Sequence, residues 1–130
     1  MSSLWATALA GLLYYVLGAV WFTPLFGHAW DWSIGHDRSR SGGRFPLSYY
    51  LLPLAGALVT AVVISTLLPR GAGVMPGLLT GAAVGLVAAT ASMTNALTPH
   101  TPHPYVFGAI TGGYHLTGGA LAGITVGLLN

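Results

Sequence analysis

His115 is the residue whose type and position most invite chemistry in this chain of 130 residues. Steps of three and four from Gly108 give Gly112, His115, Gly119 and Ala122, so the imidazole lies on a small-residue helix face and is directed at protein rather than lipid. A histidine there can tie helices together by a hydrogen bond, or it can relay a proton or hold a ligand. Tyr14 and Tyr15 stand near its depth on an earlier apolar stretch, and Tyr114 adjoins it. On a third stretch Gly81, Gly85, Ala88, Ser92 and Asn95 form a comparable stripe. That stripe sets Asn95 inward, at the depth of Thr111 and about 10 Å from His115 along the helix axis. His115, Tyr114, Asn95 and Tyr14 are therefore the inward-facing candidates for ligand binding, and Trp21 and Trp30 are ligand-binding candidates with them.

A second group lies in loops. His28 with Asp31, and His100 with His103, have three-residue spacings of the kind metal ligands use. Pro102 prevents a helical His100/His103 pair, and with no cysteine available these histidines are read as solvated interfacial groups, with neither a metal nor a cofactor expected. Asp31 beside Trp21, Phe22, Phe26, Trp30 and Trp32 opens an alternative, a membrane enzyme acting on a lipid or isoprenoid-like substrate. Its carboxyl would be the general acid, with His28 nearby, and the rings would stabilise cationic character. Trp21, Trp30 and Trp32 also suit an aromatic belt at headgroup level.

The elements that position these residues follow from charge and hydropathy. Four arginines and two aspartates are the only formally charged side chains, 5% of the chain, and 54% of residues are apolar, which excludes a soluble domain. A span needs about 20 apolar residues to cross about 30 Å of hydrocarbon. The chain offers four, at about 4–23, 47–68, 74–97 and 105–129, with a longer loop over 24–46. The expected fold is an all-α, four-transmembrane-helix bundle in one membrane domain, residues 1–130. Pro24, Pro46, Pro69, Pro99, Pro102 and Pro104 mark where helices end or begin. The first stretch lacks the basic start of a secretory signal and is read as a retained helix.

Arg38, Arg40 and Arg44 follow the first span and Arg70 alone follows the second. The positive-inside rule then puts the first and third loops in the cytoplasm and both termini outside the cell membrane. Glycines at 77, 81 and 85 with Ala89, and at 119, 123 and 127, repeat every four residues and form a glycine zipper by which the last two spans pack together, or copies associate as a homo-oligomer. Four arginines without a basic stripe exclude nucleic acid as a partner.

Two strings, Gly18-Ala-Val-Trp21-Phe22-Thr23-Pro24-Leu25-Phe26-Gly27-His28-Ala29-Trp30 and Gly113-Tyr114-His115-Leu116, resemble the signatures of the small bacterial membrane proteins of the DUF1761 family. The resemblance spans the whole chain, includes Thr94-Asn95, and departs at Thr111, where the family pattern has asparagine. It implies the four-helix order and marks Trp21, Pro24, Gly27, Trp30, Tyr114 and His115 without implying an activity. The resulting expectation is a protein of the lipid bilayer that binds or transports a small ligand through a polar intramembrane pocket, with a small lipophilic ligand among the partners considered. The alternatives are the lipophilic-substrate enzyme and a structural or oligomeric module.

Overall fold

Apolar runs form the helices and proline or glycine interrupts them in the computed structural model, which describes residues 2–39 and 44–130. Helix α1 (Ser2–Val20) continues into a π-helical turn (Trp21–Leu25) and a short helix α2 (Gly27–Ile34). Three long helices follow, α3 (Ser48–Leu67), α4 (Val74–Ala96) and α5 (Pro104–Leu129). Arg40 lies outside the described residues, among which there is no strand. Leu4–Leu25, Ser48–Leu67 and Val74–Ala96 are long and apolar enough to cross a membrane. The sequence reading has four such spans. The remaining long helix, α5, has 26 residues but is diluted by seven glycines and His115.

The chain does not become a loop at Pro24, as the sequence reading has it. Proline lacks the amide that would bond the carbonyl four residues back, and its ring crowds that carbonyl. One extra residue per turn relieves both problems. The Phe26 amide bonds the Trp21 carbonyl at 2.8 Å, five residues back, and the helical path resumes as α2. Gly35, at φ +69°, ends α2 with the paired bonds of a Schellman motif, Gly35 N to Trp32 O and His36 N to Asp31 O. Such a left-handed position suits glycine because it has no Cβ.

Helices α4 and α5 run antiparallel in backbone-to-backbone contact. A Cβ on Gly77 would strike the Gly123 carbonyl, one on Gly81 the Gly119 carbonyl, and one on Gly85 the His115 carbonyl. Further along, Ala89 meets Gly112 and Met93 meets Gly108. The seam thus follows steps of four along α4, through 77, 81, 85, 89 and 93. This corrects the placement of Asn95, which is exposed. Steps of three and four had led to it, but two residues beyond Met93 is about 200° round the helix, away from α5. At the other end Gly73 N bonds Gly127 O at 2.9 Å and Gly71 N bonds Asn130 O at 2.7 Å, tying the α3–α4 connection to the end of α5.

Helices α1 and α3 complete the packing. Gly11 lets α3 approach so closely that a Cβ there would lie 3.1 Å from Leu58 Cα. The core formed with α5 is Ala10, Ala57, Ala61, Ile64, Leu68, Ala122 and Val126, with Tyr14 and Tyr114 at its edge.

The seam makes a graded test. Gly81→Ala forces backbone apart and is expected to cost about 1–3 kcal/mol. Gly56→Ala on α3, where a Cβ meets nothing within 4 Å, is expected to be neutral or stabilising. Thermal unfolding in detergent micelles reads the difference between the two.

Candidate functional site

The polar side chains gather where the end of α1 and the turn after it cross α5. Gly18 and Gly118 make room for this crossing, since a Cβ on Gly18 would lie 3.0 Å from Tyr114 Oη and one on Gly118 would lie 2.8 Å from the Tyr14 ring. In the space they leave, Tyr14 Oη and His115 Nδ1 share a hydrogen bond of 2.6 Å. Tyr114 Oη donates to the Tyr14 carbonyl at 3.1 Å. The rings of Tyr14 and Tyr114 meet edge to face at 5.1 Å, as do those of Phe22 and Tyr114. Tyr14 and Tyr114 are buried and His115 is half-buried. The second imidazole nitrogen, Nε2, has no hydrogen bond and is not among the enclosed polar atoms. If the Tyr14 hydroxyl donates to Nδ1, which leaves that proton satisfied, Nε2 carries the hydrogen and faces outward as a free donor.

Trp21 packs against α5, a contact the aromatic-belt expectation does not include. Its indole Nε1 donates to the Ile110 carbonyl at 2.9 Å, and its ring lies 3.2 Å from where a Cβ on Gly113 would be. The two strings that mark the chain thus touch each other, through Trp21 on Gly113 and through Phe22 on Tyr114. Trp30 is half-buried between the rings of Phe22 and Phe107, at 5.6 and 5.9 Å. Its Nε1 is enclosed without a partner, as is Thr111 Oγ1. Trp32 is 56% exposed and stacks on His103 at 3.6 Å, which keeps it at the rim.

Asp31 has a role that the sequence reading missed. The carboxylate is buried, and both its oxygens accept from Arg38, Oδ2 from Nε at 2.5 Å and Oδ1 from Nη2 at 2.8 Å. Arg38 Nη2 also donates to the Phe22 carbonyl at 3.2 Å, in the π-helical turn. The pair therefore clamps that turn to α2, and Gly27 leaves it room, since a Cβ there would lie 2.9 Å from Phe22 O. Hydrogen bonding to Asp31 raises the Arg38 guanidinium further above its ordinary value. Ser39 bonds Asp37 through its hydroxyl and its amide, lowering that carboxyl and shaping the return of the chain. The signal for the clamp was present in Gly35, which reverses the chain between Asp31 and Arg38.

An Asp31 engaged at both oxygens offers no free carboxyl to a substrate, which corrects its assignment as a general acid. His28 and His100 are exposed. Among the described residues no three His, Cys, Asp or Glu side chains converge as metal ligands. Asn95, outward on α4, lines an open groove of about 560 Å³ with Leu86, Val87, Thr90, Ala91 and Thr94, away from His115.

The family model described as "Protein of unknown function (DUF1761)" matches residues 5–127. No curated protein and no solved structure matches the chain.

Arg38→Ala strands a buried carboxylate and frees the Phe22 carbonyl. The expected loss is about 2 kcal/mol, between the limits for surface and buried pairs because the Arg38 side chain is 26% exposed. Arg38→Lys restores the charge but not the fork and is expected to recover only part of that loss. Chemical unfolding of Arg38→Ala, Asp31→Ala and the double variant reads the coupling.

Proposed function

The chain belongs to the DUF1761 family, which carries no activity to transfer, and from its own geometry we propose that it is a four-span membrane protein that binds a small lipophilic ligand at the Tyr14–His115 pair. The fourth span is α5. Its 26 residues reach about 39 Å, and it lies antiparallel against α4, which supports its traversing the same slab. The glycines of these two helices act as a zipper within the chain.

One observation carries the binding reading. Among the described residues, enclosed polar atoms without a partner run from the α2 end of the bundle to Thr111, one turn before His115 (Trp30 Nε1, His36 Nε2 and Thr111 Oγ1), and beyond His115 the next is Asn130 Oδ1, at the far end of α5. Below Tyr14 the core is Ala10, Ala57, Ala61, Ile64, Leu68, Ala122 and Val126, closed and apolar. The two buried threonines of that half offer no path, because Thr125 is bonded to the Leu121 carbonyl and Thr7 stands alone near the start of α1. A polar approach that ends midway favours binding over passage. The midpoint is also where a free imidazole donor is costly in hydrocarbon and gains most from a ligand that accepts its hydrogen bond. His115 lies 11 residues from one end of α5 and 14 from the other.

The orientation that fits this reading puts the π-helical turn, α2 and the α4–α5 connection in the cytoplasm, with Arg38, Arg40 and Arg44 on that side and Arg70 on the other. The ligand then enters from the cytoplasmic leaflet.

Native mass spectrometry with retained lipids tests the site. The expected result is a co-purifying mass in wild type that His115→Ala loses and Tyr14→Phe weakens; a spectrum the same in all three would make the pair an interhelical tie only. Because the chain has no cysteine, single cysteines report orientation cleanly. In intact cells a membrane-impermeant maleimide is expected to label Val74→Cys and spare Ser39→Cys; the reverse pattern inverts the topology.

A further inference from the structure

Two enclosed polar atoms have no hydrogen-bond partner on the approach to His115, Trp30 Nε1 and Thr111 Oγ1. They flank the same residue. The Trp30 ring lies 5.9 Å from the Phe107 ring, and Thr111 stands one helical turn beyond Phe107, about 5–6 Å away between β-carbons. One further turn along α5 comes His115, whose Nε2 is also unbonded. Four threonines on these helices, Thr60, Thr90, Thr94 and Thr125, return their hydroxyls to the carbonyl four residues back. Thr111 does not. Buried donors without partners are rare in folded proteins, and two beside one aromatic ring call for an acceptor between them.

The chemistry of that acceptor is narrow. Indole N–H can only donate, and the threonine hydroxyl can donate as well. The nearest formal charges, Asp31 and Arg38, are already paired with each other. A cation would face an N–H, and an anion would meet a carboxylate and a guanidinium already engaged with each other. We infer that Trp30 Nε1 and Thr111 Oγ1 form the recognition point for an uncharged carbonyl oxygen on a membrane-dissolved molecule. This rests on the binding reading above and names the ligand's head group. Only the oxygen enters between the donors, while the body of the ligand lies along the half-exposed Trp30 ring and Phe107, directed toward His115. A ring ketone of a free lipophile and the ester carbonyl of a diacyl lipid share this chemistry.

Nuclear magnetic resonance of the Trp30 indole N–H, assigned with Trp30→Phe, separates the outcomes. The full-length protein is placed in nanodiscs of dialkyl ether phospholipid, which has no ester carbonyl, and titrated with a benzoquinone bearing a decyl chain. A downfield shift on titration identifies a free lipophile, and a shift on exchanging ether for diacyl lipid identifies the lipid ester. In either case Thr111→Val is expected to weaken the response about tenfold without lowering the melting temperature, since it removes an unsatisfied hydroxyl at nearly constant shape. A Trp30 resonance that moves in neither arm, or that shows only a cross-peak to bound water in every lipid, would overturn the inference. Loss of binding in His115→Ala with an unchanged response in Thr111→Val overturns the head-group assignment alone. Dependence on Thr111 without dependence on His115 instead overturns the reading of His115.

Discussion

Between α4 and α5 the carbonyl oxygens of one backbone occupy the positions where side chains of the other would begin. Gly77 and Gly81 meet Gly123 and Gly119 at a separation that admits no Cβ on either side, and Gly85 meets the His115 carbonyl at one that admits none on α4. In a bilayer little hydrophobic drive exists between helices, and close packing with weak backbone contacts must hold them together. The same contact sets the rotation and height of α5. Because Gly85 abuts the His115 carbonyl, the imidazole is turned out of the seam toward α1, where it finds Tyr14. The register of one glycine row therefore determines where the polar residues of the neighbouring face appear.

A second constraint closes the other end. Pro24 forces an extra residue into the helical path, which leaves the Phe22 carbonyl available to Arg38 and directs α2 across the bundle. The Asp31–Arg38 pair holds that turn, and Gly27 and Gly35 give it space and a reversal. Trp21 is locked over Gly113 by its bond to Ile110. The result is an aromatic wall above His115 with Trp30 and Phe107 at its entrance, positioned by backbone chemistry rather than by apolar packing alone.

Much of this was legible in the residues. Proline and glycine positions delimited the long helices to within a few residues, and helical spacing put His115 on an inward face at the level of Tyr14. The errors have physical causes. Pro24 read as a terminator because a π-helical turn, which accommodates it, leaves no periodic signature. Asn95 read as inward because mixed steps of three and four approximate any helix face, whereas glycine-driven contacts follow steps of four and drift steadily round the cylinder. Asp31 read as a free acid because its partner lies beyond a chain reversal. Thr111 was unremarkable in composition, and only the absence of a partner for its hydroxyl distinguishes it.

The account turns on the imidazole being held by a tyrosine from another helix while its far nitrogen is left free. Solid-state nuclear magnetic resonance of the protein in lipid bilayers, with Tyr14 labelled at its ζ carbon and His115 at both ring nitrogens, measures this arrangement directly. The account requires a through-space correlation between Tyr14 and Nδ1 and a shift for Nδ1 characteristic of a hydrogen-bond acceptor, with the proton on Nε2. A His115 ring without correlation to Tyr14, or one protonated at Nδ1 with Nε2 bonded elsewhere in the chain, would contradict it.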